Sequence, residues 1–341
     1  MLVEHLSQLP GMEILEVTLE HSGPTGSIDQ VIRLRCKGKP AQLLVEIKAG
    51  KLHPKAALRA VEKLHGQGQA LLAASSLSEA SRSLLREKNV AYWDQSGSLY
   101  LDLPMALYLI DKPAPVPRRE GRELKNPYKG SAAQVLHSLL LEPGKPWKVT
   151  ELAEAAKVSP YTSHQVLDHL EKQLWCTKEG RGPQGVRLLS QPGKLLDAWA
   201  ANHSLADYQP LRLHRLAKSS QVQKEQLREF LDHQQAPWVL TLEHGAQAMA
   251  PFVTKLPTVV TTIVPESKPW IVAAKEFGYR EVHDGENLLL WLVKDQVPFL
   301  GSRDHEGLQI ASPIQLYIDL FQWPRRGKEQ AQHLREKVLK F

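Results

Sequence analysis

The chain has 341 residues, 42% hydrophobic and 23% charged, which is the composition of a globular protein with about two or three domains. The formal net charge of +6 favours a polyanionic partner. Neither Cys36 nor Cys176 has a Cys or His at zinc-ligand spacing, which excludes a zinc finger. With no signal sequence and no run of about 18 apolar residues, we expect a cytoplasmic, nucleoid-associated protein without a membrane partner.

Residues 1–111 alternate between strand and helix patterns. A helical repeat precedes a strand, a loop at 21–26 follows, and two apolar runs around Lys37-Gly38-Lys39-Pro40 form a hairpin. The rest of the segment predicts an amphipathic helix at Pro54–Leu64, a strand at Ala70–Ala74, a helix at Glu79–Lys88, and strands at Val90–Trp93 and Leu99–Leu103. This order predicts an α/β domain with a mixed sheet.

The hairpin carries the clearest candidate for catalysis. Asp29 begins its first strand, while Glu46 and Lys48 flank Ile47 in the second and therefore point to the same face. Two carboxylates there could hold Mg²⁺ or Mn²⁺, with the ammonium group assisting. A solvated Glu/Lys pair on a surface strand is the alternative interpretation.

The spacing of Asp29, Glu46 and Lys48 resembles the core of PD-(D/E)XK nucleases, the restriction-endonuclease-like superfamily. The resemblance implies a metal-dependent DNA endonuclease with Asp29 and Glu46 as metal ligands and all three residues as catalytic. A nuclease-like fold kept for DNA binding without cleavage is a further interpretation. Glu13, Glu16 or Glu20 could supply an additional acid, and the sequence does not choose among them.

Residues 112–130 form a predicted linker. Its six basic residues outnumber two acidic ones, and prolines occur at 113, 115 and 117. Such a segment is extended. It could lie along a DNA backbone or serve only as a solvated connection.

Residues 131–200 show three helical patterns followed by two short strands and a closing helix. Ala132 to Leu140 give the first apolar stripe and Val149 to Ala156 the second, and Ser159-Pro160 begins the third helix as N-cap and first helical residue. Trp175–Glu179 and Val186–Ser190 read as strands around a Gly-rich turn.

This order resembles a winged helix-turn-helix. The resemblance implies that helix 160–172 enters a DNA major groove and that wing 175–190 contacts the backbone. His164 and Gln165 could read base edges, and Tyr161 and Thr162 could hold phosphates. The remaining predicted DNA contacts are His169, Lys172, Lys178, Arg181 and Arg187. Winged helices also serve as protein-interaction modules, and the weakly basic third helix leaves that alternative open.

Residues 201–341 predict a third, α/β region. Helices are expected at Gln221–Leu231, His244–Ala250 and Lys328–Leu339, and strands at Trp238–Leu242, Val259–Val264 and Leu288–Val293. Ser312-Pro313-Ile314-Gln315 is a capping-box pattern that begins another helix. Ile318-Asp319-Leu320 offers one acid where a nucleotidyltransferase site needs an Asp-x-Asp pair, so that chemistry is unsupported.

The segment from Ala311 to Leu320, followed by Pro324 to Ala331, resembles the closing signature of AbiEi-type antitoxins. The similarity extends back over roughly residues 130–341 and implies a DNA-binding transcriptional repressor that often regulates a toxin operon.

The sequence therefore predicts an α/β and α+β multidomain protein: a nuclease-like mixed-sheet domain, a central winged helix-turn-helix and a C-terminal α/β domain. The first hypothesis is a regulator that binds double-stranded DNA, and the second is a Mg²⁺- or Mn²⁺-dependent nuclease. The third is a protein-interaction module of a toxin–antitoxin or defence system, acting through the C-terminal domain. A homodimer would match the two half-sites that winged-helix regulators read.

Overall fold

The computed structural model describes residues 1–341 except 24–25, 63, 65–67, 113–123, 125, 181–184 and 325. Most of the predicted basic linker, including Arg118, Arg119 and Arg122, lies outside the described residues. The chain forms two compact units: Met1–Glu123 with His169–Leu174, and Leu124–Asp168 with Trp175–Phe341. The predicted boundaries at 111, 130 and 200 stay predictions.

The first unit contains one mixed sheet and three helices in the described residues. In chain order its elements are α1 Leu2–Ser7, β1 Met12–Gly23, β2 Gly26–Cys36, β3 Lys39–Leu52, α2 Pro54–Val61, β4 Gln69–Leu77, α3 Glu79–Glu87, β5 Ala91–Asp94, β6 Leu99–Leu103 and β7 Ala106–Ile110. The strands neighbour one another in sequence order, from β1 to β7. The β3–β4 and β4–β5 pairs are parallel, and the remaining pairs are antiparallel.

The sheet is covered on both faces because alternate residues of each strand point in opposite directions. Leu71 and Ala73 pack with Leu2 and Leu6 of α1 on one face. Leu72 packs on the other face with the residues of α2 and α3. The predicted mixed-sheet α/β fold is confirmed, whereas the predicted loop at 21–26 is shortened because β1 and β2 continue to Gly23 and Gly26.

The second unit begins with the predicted helices and hairpin. These are α4 Gly130–Leu141, α5 Val149–Ala155, α6 Pro160–Lys172, β8 Cys176–Glu179, β9 Val186–Leu189 and α7 Pro192–Asn202. Strands β8 and β9 pair antiparallel. Trp147 adds an antiparallel bridge to Arg187, which joins the segment before α5 to the hairpin. The last residues of α6 are grouped with the first unit.

The rest of the second unit is a mixed sheet with helices. Its elements are β10 Gln209–His214, α8 Ser220–His233, β11 Val239–Leu240, α9 Leu242–Met249, β12 Val260–Pro265, α10 Trp270–Glu276, β13 Arg280–Glu281, β14 Leu288–Val293, β15 Arg303–His305, β16 Leu308–Ile310, α11 Pro313–Gln322 and α12 Gly327–Leu334. The strand order is β13-β10-β14-β12-β11-β16-β15. Strands β12 and β14 run parallel at its centre.

Helix α11 is the central helix of this unit, since every residue from Pro313 to Leu320 is buried. Ser312 Oγ accepts the Gln315 N–H at 3.1 Å, which confirms the predicted N-cap. The Gln315 side chain bonds elsewhere, so only half of the predicted capping box forms. Among the described residues, no helix is long and apolar enough to cross a membrane.

Candidate functional site

Helix α6 begins where the sequence predicts. Ser159 Oγ accepts the Thr162 N–H at 3.1 Å, and Pro160 occupies the first helical position. Val166 and Leu167 are fully buried. The apolar side of the helix is therefore fixed in the core, which sets the direction of its polar side.

Tyr161 and His164 lie on the polar side of α6. The Tyr161 side chain is 58% exposed, and His164 is also exposed. Gln165 is half-buried, and its Nε2 donates to the Tyr161 hydroxyl at 2.7 Å. The Thr162 hydroxyl lies 2.9 Å from Ser159 Oγ. Gln165 and Thr162 are therefore engaged in local hydrogen bonds that hold the first half of this surface in place.

The other predicted DNA contacts do not all lie on an exposed surface. Lys178 is exposed on β8, whereas Arg181 lies outside the described residues. Arg187 is only 6% exposed, so we correct its assignment as a surface phosphate contact. Its strand shows alternating burial, and position 187 points inward. His169 and Lys172 belong to the stretch grouped with the first unit, so we limit the candidate surface to the first half of α6 and β8.

In the first unit, Asp29 lies beside the strand segment that carries Glu46 and Lys48. Asp29 Oδ2 accepts the Ile47 N–H at 2.7 Å, which places its carboxylate beside the Glu46-Ile47-Lys48 segment. Glu46 is completely buried and contacts Lys48 Nζ, and the Lys48 side chain is 40% exposed. Asp29 thus lies beside the backbone of the segment that carries Glu46, and the Lys48 ammonium contacts the buried Glu46 carboxylate.

The register of β1 and β2 separates the three candidates for an additional acid. Glu13 and Glu16 pair with Arg35 and Arg33, each at 2.8 Å. Those arginines are six and four residues from Asp29 along β2, or roughly 20 and 13 Å at 3.3 Å per residue. Glu20 occupies the register position opposite Asp29, between the pairs Leu19–Gln30 and His21–Ile28. Among the described side chains, no group of three His, Cys, Asp or Glu could hold a metal ion.

A buried polar cluster in the second unit, the Asp319 network, was not predicted. It consists of Asp319, Thr241, His203, Gln315 and Tyr208. Asp319 is fully buried. Its Oδ2 accepts from Thr241 Oγ1 at 2.6 Å, and its Oδ1 lies 2.8 Å from His203 Nε2, 2.9 Å from Gln315 Nε2 and 3.1 Å from the Tyr208 hydroxyl. Burial, followed by the nearby Asp319 charge, raises the pKa of Tyr208 well above its ordinary value.

One sequence signal could have located the Asp319 network. Asp319 is a charged residue at a central position of an apolar helix, and a carboxylate is rarely buried without partners. Its spacing of four residues from Gln315 places both on one side of α11. The other partners come from segments distant in sequence, so a helical pattern cannot reveal them.

One family of known proteins resembles the C-terminal part of the chain. A family model described as "Transcriptional regulator, AbiEi antitoxin, Type IV TA system" matches residues 187–340. This part is therefore similar to transcriptional regulators of toxin–antitoxin systems. Its resemblance to the AbiEi-type family is confirmed, although the match begins at Arg187 and not near residue 130. No curated protein matches the chain.

Among solved structures, a chain from the "Structure of EndoMS-dsDNA2 complex" is 22% identical to this protein. The similarity covers 26% of this chain and 38% of that chain, with a TM-score of 0.19. At that score the likeness carries no argument about fold or function.

Proposed function

We propose that the protein is a transcriptional regulator that binds double-stranded DNA through the first half of α6 and strand β8. The observation that carries the proposal is the exposed Tyr161 and His164 surface on a helix whose opposite side is buried. The match of residues 187–340 to a family of transcriptional regulators supports the proposal.

The roles proposed for individual residues follow from their positions. His164 is exposed and offers ring nitrogens to base edges in the major groove. The Tyr161 hydroxyl, held by Gln165, is suited to a phosphate oxygen. Lys178 on the hairpin contributes positive charge to the backbone contact. Base contacts determine sequence preference, whereas phosphate contacts determine affinity for every sequence.

The regulatory proposal predicts different consequences for two kinds of substitution. Replacing His164 or Gln165 by Ala changes the ranking of duplexes selected from a random library, by about fivefold or more at the affected base pair. Replacing Lys178 by Ala weakens binding to all duplexes alike and reduces the salt slope by about one. Fluorescence anisotropy between about 50 and 200 mM salt measures both effects.

Lys337→Ala is the matched control for Lys178→Ala, because Lys337 is an exposed lysine of the same unit at the end of the chain. It removes the same charge and leaves the salt slope unchanged. An unaltered ranking in both the His164 and Gln165 variants would refute the assigned reading surface. Absence of DNA binding at low salt would refute the regulatory function itself.

We propose a metal-dependent DNA endonuclease as the second candidate function, because Asp29, Glu46 and Lys48 converge in the first unit. Mg²⁺ in proteins often binds one or two carboxylates and keeps several waters, and Asp29 and Glu46 meet that requirement. The bound ion would act as a Lewis acid on a phosphate oxygen. Lys48 contacts Glu46 and would place its ammonium group near the scissile phosphate.

The nuclease proposal predicts Mn²⁺-dependent cleavage of duplex DNA that falls at least about 100-fold in both Asp29→Ala and Lys48→Ala. Exposed Asp102 and Lys39 lie in the same unit, so Asp102→Ala and Lys39→Ala are matched controls that retain cleavage. A gel assay with supercoiled and linear duplexes gives the readout. Cleavage that persists in the Asp29 and Lys48 variants would exclude this site.

A further inference from the structure

A cavity of about 390 Å³ opens beside the Asp319 network in the second unit. It lies beyond the carboxyl ends of β12 and β14, where Glu266 and Lys294 directly follow the two parallel strands. Ligands of open α/β sheets bind at this edge, because the strands end there and the following loops diverge. The volume is within the range of pockets for small organic molecules.

Three aromatic side chains line the cavity. Trp199 of α7, Tyr128 before α4 and Tyr208 before β10 all line it, together with Val297 and Pro298. Trp199 is 2% exposed and is held against His137 at 6.3 Å between ring centroids. Rigid aromatic faces suit a planar ring or a cation placed above them.

The Asp319 network determines which hydrogen bonds remain for a ligand. A carboxylate only accepts, so His203 Nε2 donates to Asp319, and the other ring nitrogen, Nδ1, is left for a ligand. Gln315 Nε2 donates to both Asp319 and the Tyr208 hydroxyl, which leaves Oε1 as its acceptor. Within the described residues, neither His203 Nδ1 nor Gln315 Oε1 makes a hydrogen bond. Gln315 Oε1 is therefore a hydrogen-bond acceptor that remains for a ligand in the cavity.

The charged side chains of the cavity also favour a positively charged ligand. Asp207, Glu266 and Asp295 outnumber Lys129 and Lys294. Lys129 pairs with Asp207 at 2.7 Å, and Lys294 is 82% exposed and lies 3.7 Å from Glu266. Asp295 accepts the backbone N–H groups of Gly130 and Val297. Glu266, whose side chain is 33% exposed, is the carboxylate best placed to meet an incoming positive charge.

We infer that this cavity is a binding site for a small organic cation with a planar or aromatic body and several N–H donors. The aromatic side chains contact the planar body, and the Gln315 and Glu266 acceptors take the N–H groups. The site is independent of the proposed DNA-binding surface. Because Tyr128 precedes α4 and Trp199 lies on α7, an occupied cavity also contacts the segments that flank α5, α6 and the hairpin.

Benzamidine and benzoate test this inference, because they have nearly the same shape and opposite charges. With the intact chain, calorimetry is expected to give millimolar binding for benzamidine and at least about tenfold weaker binding for benzoate. Glu266→Gln is expected to weaken benzamidine about fivefold without affecting benzoate. Absence of benzamidine binding at about 10 mM, or equal binding of both probes, would overturn the inference.

Two tryptophan variants locate the binding site. Asn202 lines the cavity at the end of α7, and Ala201 is an exposed neighbour on the same helix that does not line it. Asn202→Trp is expected to reduce benzamidine binding at least about tenfold, whereas Ala201→Trp leaves it unchanged. Equal binding to both variants would place the benzamidine elsewhere. Thermal unfolding verifies that both variants fold, and DNA binding is scored separately, so failure here is distinct from failure of the regulatory function.

Discussion

Replacing Asp319 by Ala is expected to destabilise the protein by about 3–5 kcal/mol, one of the largest effects of any single substitution in the second unit. The substitution removes the acceptor of four donors that lie in or beside the core. Thr241 is completely buried, so its hydroxyl loses this acceptor inside the core. An unsatisfied buried donor costs about 1–3 kcal/mol, so several together exceed the value of one ordinary hydrogen bond.

Comparing Asp319→Asn with Asp319→Ala separates the effect of losing the hydrogen bonds from the effect of losing the charge. Asp319→Asn keeps one carbonyl oxygen for the His203, Gln315 and Tyr208 donors, and the Thr241 hydroxyl can rotate to accept from the new amide. It is therefore expected to cost less than Asp319→Ala. Asp284→Ala, in an exposed turn, is the control and is expected to stay within about 0.5 kcal/mol. The measurement is the urea midpoint of unfolding. A loss below about 1 kcal/mol in Asp319→Ala would contradict the network's structural role.

Local signals in the sequence were sufficient for the helices and hairpin around α6. Ser159 and Pro160 fix the start of α6 through hydrogen bonding and a restricted backbone angle, both of which depend on adjacent residues. The buried set of Val166, Leu167 and Leu170 follows from helical periodicity alone. Such features depend on short segments, and short segments are what a single sequence shows most directly.

Short strands and long-range partners were not predictable in the same way. Strands β10 and β7 were missed: β10 starts at Gln209-Pro210 with only two alternating leucines, and β7 exposes Leu107 and Leu109, so neither shows a clear buried face. In the Asp319 network, Thr241 and His203 are 78 and 116 residues from Asp319. No periodic pattern spans such distances, and only the fold brings these side chains together.

The error at Arg187 has a simpler physical cause. Positive charge suggested a DNA contact, but charge does not determine which side of a strand a residue occupies. Alternation along β9 places Arg187 on the same side as buried Leu189. In a two-stranded hairpin that packs on helices, the alternation of side chains along the strand is therefore a better guide to exposure than residue type.

The protein is also expected to lose stability as the pH falls from about 6.5 to 4, because of a buried histidine. Burial lowers the pKa of His137 from 6.5 to about 4. His137 is fully buried on α4, where Nε2 lies 2.7 Å from Ser312 Oγ. Gly301, with a φ of +63°, packs so closely on it that an added Cβ would lie 3.3 Å from the His137 ring. The site therefore has little room to hydrate a charged imidazolium.

The direction of the effect follows from proton binding in the two states. Between pH 6.5 and 4 the unfolded chain protonates residue 137 and the folded chain does not, so lowering the pH favours unfolding. At about 1.4 kcal/mol for each pH unit, the full loss from this residue is about 3 kcal/mol and is complete below pH 4. Burial also lowers the pKa of His244 to about 4, and this half-buried ring contributes a smaller share in the same direction.

Substitution distinguishes the His137 contribution from the general effect of acid on carboxylates. His137→Gln removes the titrating group, so the difference in the free energy of unfolding between pH 7 and pH 4.5 is expected to shrink by about 2–3 kcal/mol. His283→Gln, in an exposed turn, is the control and is expected to keep the full pH dependence of the unaltered protein. Denaturant unfolding at the two pH values supplies the measurement. If His137→Gln keeps the same pH dependence as the control, the imidazole is protonated in the folded protein, and the tight packing of Gly301 and Ser312 around it does not exclude the charged form.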